Sequence, residues 1–117
     1  MGARITTLEL PCSIADLAPV AINIMVTEGA AAYGNLANDL TKPMDSGIRP
    51  RLQAGSKLLA TDYIAALEKQ TQLKSQFEKT LEHIDIFATP TGLTTAVPLT
   101  EVNPFAPPVH FTRILNI

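Results

Sequence analysis

Residues 61–91 read TDYIAALEKQTQLKSQFEKTLEHIDIFATPT, and this stretch predicts a long helix that leads into a strand. Four large apolar side chains recur at spacings of four, four and three residues, as they do on one face of a helix. They are Leu73, Phe77, Leu81 and Ile84. The stretch holds no Gly or Pro before Pro90, and the Thr61 hydroxyl is placed to cap a helix N-terminus. We therefore predict a long helix over about 61–83.

The apolar period changes at the end of this helix. Residues 84–89 read IDIFAT, a short apolar run that Pro90 ends, and such a run suits a strand buried on both faces. Residues 3–10, ARITTLEL, carry aliphatic and β-branched side chains and stop at Pro11, so they predict a second strand. Strands and helices in this order indicate a partial layered α/β fold, with 1–117 as a single partial domain.

An Ala-rich apolar run over about 17–40 predicts another helix, with Asp16 as its N-cap. Its first half has almost no polar face, which is typical of a helix inside a larger protein. Glu28 is the one charge between Asp16 and Asp39. It is either a paired or partly exposed glutamate at the helix edge, or a general acid or base, although no partner for that chemistry is near it in sequence.

Residues 48–59 predict a shorter helix, capped by Ser46, which brings the number of helices to three or four. Arg49 and Arg51 flank Pro50 at its start. Two arginines so placed either clamp a carboxylate or simply line a solvated helix start. Residues 92–108 contain four prolines and few charges, and predict a long ordered loop.

The composition argues against several classes of protein. A net charge of −2 with no basic block argues against a nucleic-acid partner. No wholly apolar run reaches the roughly 20 residues of a membrane span, so we predict no membrane partner. Cys12 is the only cysteine, which excludes an internal disulfide and fits a cytoplasmic protein. The two histidines and Cys12 lie far apart in sequence, so we predict no metal and no cofactor.

Five pieces of the chain, taken in order, resemble the C-terminal half of the amidase signature family of serine hydrolases. Their shared features are a strand ending in Leu-Pro, a helix with Glu five residues before Tyr, the spacing R-x-x-x-G, and the ending D-x-x-x-x-P-T. The pieces are GARITTLELP, TEGAAAY, SGIRPRLQAGSKLLATDYIAAL, IDIFATPT and FTRILNI.

The resemblance implies a parent enzyme that hydrolyses carboxylic amides through a Ser–cis-Ser–Lys triad and a backbone oxyanion hole. In the family those parts lie in a Gly/Ser-rich signature region upstream of the matching pieces. No residue here corresponds to the triad, so no catalytic residue is assigned. The resemblance also implies that Arg51 contacts the polar end of the substrate, and that Thr89, Thr91 and Gly92 border the substrate pocket.

Two functions of different classes follow. In the first, the chain is a non-catalytic C-terminal fragment of an amidase; the missing N-terminal half is its partner and a small-molecule amide is the parent's substrate. In the second, it is a free-standing, non-catalytic α/β module that forms a homo-oligomer or binds a protein, because its apolar helix predicts uncovered apolar surface. A small independent hydrolase would need a nucleophile–base pair, which the sequence does not offer.

Overall fold

The computed structural model describes residues 2–103 and 111–112. Within this part of the chain, all regular secondary structure is helical. Three α-helices are followed by one short 3₁₀ turn. This turn lies in the segment 92–108, which the sequence predicts to be a loop. Residues 104–108 of that segment are outside the described part of the chain. The elements are α1 (Ile14–Asn38), α2 (Ile48–Gly55), α3 (Ala60–Leu81) and the 3₁₀ turn Leu99–Glu101.

Helix α1 is the element on which the others assemble. Both α2 and α3 pack on α1, whereas α2 and α3 do not pack on each other. The core among the described residues is correspondingly small, and only four apolar side chains are buried. They are Leu17, Ala37, Ala66 and Leu73. Leu17 and Leu73 join α1 to α3, and the two rings of Phe77 and Phe87 meet edge to face beside them, with centroids 5.8 Å apart.

The prediction of an α/β fold is wrong for the described residues. Neither 3–10 nor 84–89 is a strand, and neither makes a backbone–backbone hydrogen bond beyond the one that ends α3 at Ile84. A strand exists only when a neighbour about 4.8 Å away supplies a hydrogen-bonded ladder, and the described chain supplies none. Instead, Leu10 and Phe87 insert single side chains against the Leu17–Leu73 contact while the backbone around them stays unpaired.

The start of α1 lies three residues before the predicted one because Ser13, and not Asp16, is the N-cap. The Ser13 Oγ accepts a hydrogen bond from the Asp16 backbone N–H at 3.2 Å. The Asp16 carboxylate in turn accepts from the Ser13 backbone N–H at 3.3 Å and from its hydroxyl at 2.7 Å. This reciprocal pair is a capping box, which satisfies two of the amide donors that a helix N-terminus leaves free.

The starts of the other two helices also differ from prediction. The N-cap of α2 is Gly47 and not the predicted Ser46. From two residues upstream, the Asp45 Oδ1 accepts hydrogen bonds from the backbone N–H groups of Gly47 and Ile48 at 2.8 and 3.1 Å. The long helix begins at Ala60 with no side-chain cap, and Thr61 lies inside its first turn. The Tyr63 hydroxyl, close to this start, donates a hydrogen bond to Glu28 and so links α3 to α1.

Helix α2 ends at Gly55 and not near residue 59, and this glycine marks the closest approach of two helices. A Cβ at Gly55 would lie 1.9 Å from the Val26 carbonyl oxygen and 3.1 Å from the Ala30 Cβ of α1. Since no side chain fits there, the two backbones touch directly. The glycine thereby fixes how α2 sits on α1.

The chain exposes more surface than a compact monomer would. Its accessible area is 8931 Å², against about 6,200 Å² expected for a compact monomer of this mass. Its radius of gyration is 17.5 Å, against about 13 Å for a compact domain of this length. Large apolar side chains are exposed on every described helix, for example Met25 on α1 at 57% and Ile64 on α3 at 54%.

Helix α1 also has the length and composition of a membrane span. An 18-residue window within it has a mean hydropathy of 1.3, and 17% of that window is buried. Core helices of soluble proteins and leader segments have the same properties, so composition alone does not decide between them. The absence of a membrane partner stays a prediction.

Candidate functional site

Arg51, the residue that the resemblance associates with substrate, lies in the middle of α2. It is half-buried and takes part in an interaction of its own. Its neighbour in sequence, Leu52, reaches over Gly29 on α1, with its Cδ2 only 2.8 Å from the place where a Cβ of that glycine would be. Arg51 is therefore positioned beside the second half of α1.

Thr89, Thr91 and Gly92 follow α3 in an irregular segment. Thr89 is half-buried, and its Oγ1 makes only a long 3.5 Å hydrogen bond to the carbonyl of Pro90, while Thr91 is exposed. Two residues upstream, Phe87 packs at Leu17 near the beginning of α1. The segment therefore leaves the Leu17–Leu73 contact near the start of α1, whereas Arg51 lies beside the second half of that helix.

The four residues predicted to contact or border substrate are thus not joined into one site by the described contacts. Phe87 packs at Leu17 and Leu52 packs at Gly29, and these two α1 residues are twelve positions apart, or about 18 Å along the helix axis. No described hydrogen bond links Thr89, Thr91 or Gly92 to Arg51. Their grouping around a substrate remains a prediction from resemblance.

Arg49 has a role that neither alternative for the arginine pair anticipated. Its Nη1 donates to the backbone carbonyls of Ala37 and Asp39 at 2.6 and 3.1 Å, and its Nη2 donates to that of Lys42. Gln53 Nε2 donates to the same Ala37 carbonyl at 3.1 Å. The Ala37 and Asp39 carbonyls lie at the C-terminus of α1, where a helix leaves acceptors free and its dipole favours a cation, and the Lys42 carbonyl lies in the loop that follows. Arg49 therefore fastens the loop and α2 to α1.

The turn after α1 is held by a second set of hydrogen bonds. Asp39 Oδ1 accepts from the Thr41 hydroxyl at 2.6 Å and from the Thr41 backbone N–H at 3.0 Å. These two bonds, with a smaller contribution from the charge of Arg49, lower the pKa of the Asp39 carboxyl. The basic and acidic side chains at this end of α1 are thus engaged in holding backbone. The sequence signal for this role is a basic residue about ten positions after a helix C-terminus, which is too common to be diagnostic.

Glu28, the one charge within the apolar part of α1, is paired with α3. Its Oε1 accepts a hydrogen bond from the Tyr63 hydroxyl at 3.0 Å. This bond, together with desolvation and the charge of the carboxylate, raises the pKa of Tyr63. The interpretation of Glu28 as a paired glutamate at the helix edge is confirmed. A tyrosine whose proton is held more tightly is a poorer acid or nucleophile, so the pair is suited to joining helices rather than to proton transfer.

No described hydrogen bond joins a side-chain hydroxyl to a lysine or a histidine. The Ser13 hydroxyl bonds Asp16 in the capping box, and the Ser56 hydroxyl bonds the Leu52 carbonyl, so neither faces a lysine or histidine. Burial, and secondarily the charge of Asp16, raises the pKa of the Cys12 thiol, which makes it a poorer nucleophile. Nor do three or more potential metal ligands cluster anywhere in this part of the chain.

Comparison with known proteins supplies one relationship. No family model matches the chain, and no solved structure matches it. An amidase of Pseudomonas putida is 25% identical to it over 91 residues. The match covers 78% of this chain but only 19% of the amidase, so the chain spans about a fifth of the length of the curated relative it matches. Over most of its length, this chain is similar to a limited part of an amidase.

Proposed function

We propose that this chain is the C-terminal scaffold part of an amide hydrolase of the amidase signature type, and that it does not catalyse hydrolysis by itself. The observation that carries the proposal is the similarity to an amidase over 78% of the chain. None of the described hydroxyl hydrogen bonds involves a lysine, which agrees with a part of the enzyme that borders the substrate while the serine–lysine triad lies in another part of the parent. On this proposal, Arg51, Thr89, Thr91 and Gly92 border the amide substrate, and the protein works in the cytoplasm.

The purified chain provides the first test. We expect no hydrolysis of small carboxylic amides and no labelling by a fluorophosphonate, which reacts with activated serines. Stoichiometric labelling would refute the proposal, because it would reveal an activated serine within this chain.

The genomic sequence on either side of the gene provides the second test. We expect an upstream segment that encodes a Gly/Ser-rich region, in frame with this chain or as a neighbouring gene. Joining or co-expressing the two should yield amide hydrolysis. If the combined protein is well folded and binds no amide, the proposal fails.

In an active assembly of this kind, Arg51→Met should lower kcat/KM by about tenfold or more, mainly through a higher KM, since a lost hydrogen bond to a charged group costs about 1.5–3 kcal/mol. Arg4→Met removes the same charge from an exposed position near the chain start and serves as the matched control. Equal effects of the two substitutions would contradict a substrate contact by Arg51.

A second candidate function is a helical, non-catalytic module that self-associates. The observation in its favour is the surplus surface of the chain, 8931 Å² against about 6,200 Å². The two candidates differ in a direct measurement: the first requires that an added polypeptide restore hydrolysis, whereas the second requires that the chain associate with itself in its absence.

A further inference from the structure

One face of α1 carries an apolar stripe that the described elements leave largely uncovered, apart from Leu52 of α2 over Gly29. Its six positions follow one another at spacings of four, three, four, three and four residues. The large members are well exposed, Ile22 by 40%, Met25 by 57% and Leu36 by 41%. The small members are Ala18, Gly29 and Ala32, of which Ala32 is exposed and the other two are half-buried. We refer to these six residues as the α1 stripe.

We propose that the α1 stripe is covered by the α1 stripe of a second copy of this chain, with the two helices antiparallel. Alternating spacings of three and four residues are those of a coiled-coil seam, in which every position faces a partner helix. Helix α2 reaches the stripe at Gly29, through the side chain of Leu52, while the three large members on either side of Gly29 stay exposed to a partner.

The order of large and small residues indicates the direction of the partner. The stripe is centred on position 27, so an antiparallel copy places position 18 opposite 36, position 22 opposite 32, and position 25 opposite 29. Each pair then consists of one large and one small residue. The pairs are Leu36 with Ala18, Ile22 with Ala32, and Met25 with Gly29. Facing large and small side chains fill an interface without voids or overlap, and small residues let the backbones approach.

A parallel pair would lack this complementarity. In that arrangement each residue meets its own copy, so Met25 would face Met25 while Ala32 would face Ala32 and leave a gap. Antiparallel pairing also generates a closed two-fold dimer in which the same patch serves both copies. The pattern therefore favours a second copy over an unrelated partner, because the stripe is complementary to itself.

Charge does not oppose this contact. The stripe carries no charged residue from Ala18 to Leu36. Glu28 lies beside it, and its carboxylate is held by the Tyr63 hydroxyl of α3, on another face of α1. At the centre, the Leu52 side chain leans over Gly29 and adds apolar surface for the opposing Met25.

The size of the stripe sets the strength of association. Eighteen residue steps separate its ends, or about 27 Å of helix, and the contact is about one helix, or 10 Å, wide. That is small beside the total of about 1,200–2,000 Å² buried in stable complexes. We therefore expect a reversible dimer that dissociates in the micromolar range.

Sedimentation velocity, measured at protein concentrations from a few micromolar to several hundred micromolar, tests the interface. The unmodified chain should pass from monomer to dimer, and Ile22→Glu should weaken the dimer at least about tenfold by placing a charge at an apolar contact. Ile64→Glu introduces the same change at an exposed position of α3 and should leave the dimer intact. Met25→Glu, at the most exposed large position of the stripe, repeats the test if circular dichroism shows that Ile22→Glu has lost helix.

Site-directed disulfides test the direction, in a Cys12→Ser background that removes the natural thiol. In the antiparallel dimer, position 22 of one copy faces position 32 of the other, while the two copies of position 22 lie about 15 Å apart along the axis, too far for a disulfide. Mixed Ile22→Cys and Ala32→Cys chains should therefore cross-link to each other, and neither should cross-link to itself.

Three results would overturn the proposal. They are a monomer at every concentration, an Ile64→Glu variant that weakens association as much as Ile22→Glu, and self-cross-linking of Ile22→Cys, which means a parallel pair. Flotation with phosphatidylcholine vesicles adds a fourth, since binding that Ile22→Glu abolishes would make lipid the occupant of the stripe. None of these results depends on the proposed amidase function, which the serine probe tests separately.

Discussion

Replacing Gly55 by alanine tests the closest contact in the structure. The added Cβ would lie 1.9 Å from the Val26 carbonyl oxygen, 2.5 Å from its carbonyl carbon and 3.1 Å from the Ala30 Cβ. Two of these atoms are backbone of α1 and cannot turn aside as a flexible side chain can. Relief to an ordinary contact requires α2 to move away from α1 by more than 1 Å or to lose its last turn.

Two effects of opposite sign determine the magnitude. Gly55 is the last residue of α2, and its φ is not positive, so alanine there gains at most about 1 kcal/mol of helix propensity. Overpacking a close contact typically costs about 1–3 kcal/mol, and this overlap is with backbone, so the upper part of that range applies. We expect a net loss of about 1–2 kcal/mol in the free energy of unfolding, or roughly 4–8 °C in Tm for a chain of this size.

Thermal unfolding followed by circular dichroism at one fixed protein concentration measures this loss. Gly34→Ala is the matched control, because its new Cβ would meet only the Ser56 Oγ, at an ordinary 3.6 Å. The same propensity gain then acts without the overlap, so Gly34→Ala should raise Tm. A Gly55→Ala variant as stable as the unmodified chain would refute the direct backbone contact between α1 and α2.

Three other substitutions report on single features. Ser13→Ala removes the capping box of α1 and should lower the free energy of unfolding, measured by urea denaturation, by about 1 kcal/mol. Ser13→Asp can still cap the helix and should keep most of that stability. An unchanged urea midpoint for Ser13→Ala would contradict the cap. Arg49→Met leaves the carbonyls at the end of α1 without their donor and should lower the free energy of unfolding by about 1–3 kcal/mol. Amide hydrogen exchange should become faster only in the loop after α1 and in α2. An equal increase in exchange over the whole chain would contradict this role of Arg49. In a Tyr33→Phe background, the absorbance of Tyr63 should titrate above its ordinary pH of 10. Because the folded-state pKa is raised, the stability contributed by this bond is present below that pH and is lost as pH rises through the folded-state value. Glu28→Ala should return the midpoint toward 10, and an unmoved midpoint would show that the bond does not form.

The helices could be predicted from sequence because their causes are local. The apolar spacing of 61–83 and the absence of Gly and Pro gave α3 to within two residues at either end. The caps were less predictable, since the choice of Ser13 with Asp16 at α1, and of Asp45 over Ser46 as the acceptor before α2, depends only on which oxygen reaches which amide. Helical periodicity is averaged over many residues, whereas a cap depends on a single geometry.

The two predicted strands failed for a reason that is not local. Residues 84–89 and 3–10 have the composition of strands, but a ladder also needs a neighbour, and nothing in a segment's own sequence states whether one is present. The substrate-bordering group could not be assembled for a similar reason. Arg51 and Thr89 are related through a family pattern, and no described contact joins them.

The structure separates a self-sufficient part from a dependent one. Helices α1 and α2 are held together by the close contact at Gly55 and by the hydrogen bonds of Arg49, and neither interaction requires a further partner. Helix α3 is joined to α1 by two buried leucines and an exposed hydrogen bond, and most of its length faces water. Ordering helices costs conformational entropy at every residue, and four buried side chains offset little of that cost. Stability must therefore be coupled to whatever covers the remaining apolar surface, and association and folding should strengthen together as concentration rises.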